Sequence, residues 1–212
     1  MELPVSVLVV ELRRFAPKVL DTRGIIAQQL VDAYLSVTVE SGPGSLLETI
    51  GFNNESGTIR AAVSGYTATY QEATPPDSLA FEVAAQSFLK RVEKIADPVE
   101  YERLGILVGF RSSVPRSIVG RFLNSPISQH ADRWQVTDGH IQFMRNDDNR
   151  GVTVDFRFLT STNLNPGSNL ADIEIQVDQW HLRPEKLHAR NPKVNQAVQE
   201  ARRLVADLLK EE

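Results

Sequence analysis

The chemistry this sequence offers lies in six charged side chains on strand-like stretches: Arg13, Arg111, Asp155, Arg157, Glu174 and Asp178. A guanidinium fork matches the oxygens of a carboxylate or phosphate, and opposite charges on neighbouring strands pair across a sheet. Arg13 and Arg111 sit at matching places in two apolar runs, Val5 to Pro17 and Gly105 to Arg116, which align without a gap. In that alignment Leu12-Arg13 meets Phe110-Arg111 and Pro17-Lys18 meets Pro115-Arg116. From there the two arginines can bind an anionic ligand or pair with Asp155 and Asp178, and a salt-bridged exposed face is the plainer reading. Trp180, followed by His181-Leu182-Arg183-Pro184, either anchors a partner or closes over the core.

Other chemistries are poorly provided for. The four histidines, His130, His140, His181 and His188, form no metal-ligand spacing, and no metal or cofactor is expected. Asp147-Asp148, between Asn146 and Asn149, lacks the alternating oxygen ligands and distal Glu of a calcium loop and reads as a polar turn. Serine-hydrolase, P-loop and dinucleotide signatures are missing, so no catalytic residue is assigned and the reading leans away from an enzyme.

Composition narrows the class further. With 212 residues, 42% of them hydrophobic, the chain can bury a sizeable core, and a net charge of −4 argues against general affinity for nucleic acid. It has no cysteine, which excludes disulfides and thiolate chemistry and suits a reducing compartment. Met1-Glu2-Leu3-Pro4 has no signal-peptide character and no apolar run reaches membrane length, so the expected address is cytoplasmic.

The elements that must position these residues follow from periodicity. The run from Val5 is a strand buried on both faces, and Asp21-Thr22 caps a helix over 24–34. Leu46 to Phe52 is a strand, Asn53 to Gly57 a turn, and Thr58 to Tyr70 the second arm of a hairpin, with Gly65 as a bulge. Pro75-Pro76-Asp77-Ser78 starts a helix whose stripe is Phe81, Ala85, Phe88, Val92 and Ile95, and Tyr101 to Ser113 is the second buried strand. The order strand, helix, strand, strand, helix, strand is that of a ferredoxin-like split βαβ unit.

Beyond it, Pro115 to Leu123 reads as a short helix. Trp134 to Val136 and His140 to Arg145 read as a hairpin turning at Asp138-Gly139. Val152 to Phe158 and Ala171 to Asp178 alternate strictly, as half-exposed antiparallel strands do. Asn191-Pro192 opens a long terminal helix with Val194, Val198, Ala201, Val205 and Leu208 on one side.

Three blocks, Glu11-Leu12-Arg13, Tyr101-Glu102-Arg103-Leu104-Gly105 and Asp172 to Asp178 before a terminal helix, together resemble an uncharacterised, sporadically distributed family of small bacterial proteins from gene cassettes. That family more usually has Arg and an aromatic directly after the mid-chain Leu-Gly, where this chain has Ile106-Leu107-Val108. The resemblance implies an accessory role and no established activity.

The expectation is thus an α+β protein, mainly antiparallel, with helices on one face. It would be a single domain over 1–212, with two related ferredoxin-like halves over 1–98 and 99–212. The expected function is a non-enzymatic interaction or accessory protein, with a protein partner or a second copy meeting Arg13, Arg111, Asp155, Arg157, Asp178 and Trp180. The alternative is a binder of a small anionic ligand, or an enzyme, with a pocket between the sheet and the C-terminal helix. RNA binding is disfavoured because the inferred central strands offer no aromatic platform.

Overall fold

In a computed structural model of the chain, the described residues are 3–15, 35–40, 49–63, 67–96, 100–115, 138–159 and 170–209. The predicted helices over 24–34 and 115–123 lie essentially outside them, as do Trp134 to Val136 and Gly65. The elements are strands β1 (Val5–Phe15), β2 (Leu35–Glu40), β3 (Thr49–Asn54), β4 (Ile59–Val63) and β5 (Thr67–Ala73), then helix α1 (Ser78–Ala96). After β6 (Glu100–Pro115) come β7 (Asp138–Asp147), β8 (Arg150–Leu159), β9 (Leu170–Leu182), the short helix α2 (Lys186–Arg190) and α3 (Val194–Leu209).

All nine described strands join one sheet in the order β2-β3-β4-β5-β1-β6-β9-β8-β7, and every pairing is antiparallel. The two apolar runs are neighbours at its centre, with Leu8 opposite Val108, Val10 opposite Ile106 and Leu12 opposite Leu104. The chain takes the same kind of path twice. After β1, strands β2 to β5 return to pair with β1, and α1 follows; after β6, strands β7 to β9 return to pair with β6, and α2 and α3 follow.

Alternation decides which side chains meet the helices. Leu8, Val10 and Leu12 are buried, as are Ala68 and Tyr70, Val108 and Phe110, and Ile173, Ile175 and Val177, all on one face. One register row, Tyr70, Val10, Ile106 and Gln179, carries both long helices. Phe81 and Phe88 of α1 pack on Tyr70 at ring distances of 5.4 and 5.6 Å, and the Gln179 side-chain amide donates to the Ala197 carbonyl of α3 at 2.7 Å.

Local chemistry fixes the helix starts. Asp77 accepts from the amides of Leu79 and Ala80, both at 3.1 Å, and so caps α1. Helix α3 starts three residues after Asn191, because α2 occupies the preceding turn. Glu82 of α1 then takes the capping role, accepting from the Asn195 amide at 2.9 Å. On α3, Val194, Ala197, Val198, Ala201, Val205 and Leu209 are buried.

Several expectations change. The arm predicted over 58–70 contains two strands, β4 and β5, paired antiparallel with each other. Among the described elements four strands, β2 to β5, lie between β1 and α1 where two were expected. Asp138 and Gly139 are paired in β7 with Leu159 and Phe158 instead of forming a turn, and the reversal falls at Asp148-Asn149. Strong turn residues yield here to a ladder of ten partners.

Candidate functional site

The second face of the sheet carries the charged side chains. Successive residues of a strand point to opposite faces, so burying Val177 and Ile175 among the helices places Glu174, Gln176, Asp178 and Trp180 on the other side. Arg13, Arg111, Asp155 and Arg157 share that side by register. Among the described residues no helix covers it.

Three of the predicted residues come together. Arg13 lies opposite Arg103, and Arg103 donates to Asp178 at 2.5 Å while Arg13 donates to its own neighbour Glu11 at 2.9 Å. Two like charges facing each other would repel, and each is instead held by its own carboxylate. The guanidinium of Arg103 lies 5.8 Å from the Trp180 ring centre, a cation–π contact. Trp180 in turn lies over Gly151, where any Cβ would meet the indole Cζ2 at 2.0 Å. Gly105 lies between Glu11 and Trp180 in the register, beside the Arg103–Asp178 pair.

Burial raises the Asp178 pKa, and the facing Arg103 opposes that rise without cancelling it. Side-chain exposure is 21% for Arg103 and 32% for Asp178, so the pair is neither a surface bridge nor a core one. The Arg103 Nε is buried and has no hydrogen-bond partner among the described residues. This cluster is a fixed polar layer on the sheet, and Trp180 shields it there instead of capping the helix-side core.

The other predicted residues form a second row. Arg111, Glu174 and Arg157 stand side by side on β6, β9 and β8, and Asp155 faces Gln176. Both arginines are exposed, and among the described residues neither is in an ion pair, so the expected pairing with Asp155 or Asp178 does not form. Because β1 and β6 run antiparallel, Arg13 and Arg111 lie at opposite ends of the central pair. Eight residues separate Arg111 from Arg103, the residue facing Arg13, which is about 26 Å along a strand, and no small anion spans that distance.

No family model, curated protein or solved structure matches the chain. The site is therefore read from its own geometry. Sequence reasoning missed Arg103 and Glu11. Glu11 was legible, two residues from Arg13 and on the same face of a strand. Arg103 was not, because its role depends on the register of β6 against both β1 and β9.

The molecule also shows features with other uses. Phe143 and Met144 on the outer strand β7 are 39% and 62% exposed, though Phe143 packs edge-on against Phe156 at 5.9 Å. His181, on the helix side, has its pKa lowered by burial and by Arg150. Among the described residues no group of His, Asp or Glu is arranged to hold a metal ion, and no helix is long and apolar enough to cross a membrane.

Proposed function

We propose that the protein is a non-enzymatic interaction protein whose open sheet face receives another protein. The observation that carries this reading is the unpaired, exposed pair Arg111 and Arg157 flanking Glu174 on a face that no described helix covers. Such a face combines partly exposed aliphatic residues, Val7, Val9 and Leu107, with exposed charge outside any ion pair, the mixture found at non-obligate interfaces. Nine strands about 4.8 Å apart span about 38 Å, wide enough for the roughly 800 Å² per partner of an ordinary complex.

The resemblance of the three sequence blocks to cassette-associated bacterial proteins supports an accessory role beside a partner encoded nearby, in the cytoplasm. The two similar passes of the chain support a reading as two related ferredoxin-like halves: β5 and β6 flank β1, run parallel to each other and are connected through α1. The test is capture of a neighbouring-gene product by the wild type and by Arg111→Glu/Arg157→Glu. Binding should fall at least about tenfold in the variant, since charge reversal at an interface raises dissociation. Equal capture by both proteins contradicts the role given to this face.

A further inference from the structure

A second feature of the open face lies in the other half of the sheet, away from Arg111 and Arg157. Gly51, Ala62 and Thr69 are adjacent in register on β3, β4 and β5, and their small side chains leave a trough. The neighbouring row, Asn53, Arg60 and Gln71, stands as a wall along it. The concavity, open to solvent on one side, measures about 380 Å³ and is lined by these residues with Gly57 and Ala61, which is within the roughly 300 to 1,000 Å³ of small-ligand sites.

Its chemistry is one-sided. The lining holds one cation, amide donors and a hydroxyl, with no carboxylate. Arg60 is exposed, and among the described residues neither Arg60 nor Gln71 has a side-chain partner. Glu11 borders the trough beyond Thr69, but its charge is taken up by Arg13 at 2.9 Å. The rim is stiffened by the β3–β4 turn: Asn54 accepts from the Ile59 amide at 2.9 Å and donates to Thr58 at 2.8 Å. Gly57 supplies the positive φ of 68° that the reversal needs.

We infer that this trough is a binding site for a small oxyanion, a carboxylate or phosphate gripped by the Arg60 guanidinium and the Gln71 amide. The guanidinium supplies a charge-assisted, two-pronged grip, and the trough floor is small enough to let the rest of the ligand lie flat on the sheet. The trough shares the open face with the partner-docking reading but rests on a different cation, Arg60 on β4 as against the docking arginines on β6 and β8, so substitution separates the two.

The experiment is calorimetric titration of the full chain with citrate, inorganic phosphate and AMP. It is repeated on Arg60→Gln, on Ala62→Leu, which fills the trough, and on Arg202→Gln, an exposed arginine of α3, as a control, with folding of each checked by circular dichroism. Saturable binding of at least one probe by the wild type is expected, unchanged in Arg202→Gln and weakened by about tenfold or more in both trough variants. Preference for citrate assigns a carboxylate ligand, and preference for phosphate or AMP a phosphate. Absence of saturable binding to all three probes, or equal binding by folded Arg60→Gln, overturns the proposal.

Discussion

The indole of Trp180 lies directly on Gly151, in the space that any side chain at that position would fill. This contact joins β8 to β9 on the open face and places the aromatic surface against which Arg103 rests. Gly151→Ala should therefore push the ring away and cost about 1 to 3 kcal/mol, as overpacking does. Urea unfolding followed by circular dichroism measures the loss. The double variant with Trp180→Ala should be less destabilised than the sum of the two single changes.

The Arg103–Asp178 pair gives a second prediction. Asp178→Ala strands a partly buried guanidinium and should cost about 1 to 3 kcal/mol at neutral pH. Burial holds the folded-state pKa of Asp178 above its unfolded value, so the folded protein takes up this proton more readily. The extra stability that comes with protonating Asp178 is then present below the unfolded pKa and is lost as pH rises through the folded one. Wild type should gain stability relative to Asp178→Asn as pH falls from neutral toward the ordinary carboxylate range, which paired urea titrations would detect. His181 contributes with the opposite sign: burial lowers its pKa, so its share is lost as pH falls from its ordinary value through the lowered one. Repeating the comparison in His181→Gln separates the two.

Helix α3 depends on a cap supplied from another helix. Glu82→Ala should remove the acceptor on the Asn195 amide and the negative charge near the α3 start, costing about 1 kcal/mol. Asp77→Ala, which uncaps α1 by the same mechanism, should cost a similar amount. Hydrogen exchange distinguishes them, with faster exchange at the start of α3 for Glu82→Ala and at the start of α1 for Asp77→Ala.

The central strands, α1 and the alternating strands β8 and β9 were legible because each carries a strong periodic pattern of its own. The α1 stripe of Phe81, Ala85, Phe88 and Val92 is buried in the structure, and Leu89 joins it. What escaped depended on partners distant in sequence. Nothing local distinguishes 58–70 as two strands instead of one, and Asp138-Gly139 has the composition of a turn until a facing strand is known. The site divides in the same way. Side-chain alternation put the charged set on one face, but only the register shows that Asp178 meets Arg103 and that Arg111 stands beside Glu174 without an ion pair.

Whether the open sheet face receives a protein partner is decided by hydrogen–deuterium exchange with and without the neighbouring-gene product. Partner-dependent protection should fall in β6, β8 and β9, with α1 and α3 unchanged and the effect lost in Arg111→Glu/Arg157→Glu. Protection confined to the helices, or none on any strand, would contradict that docking.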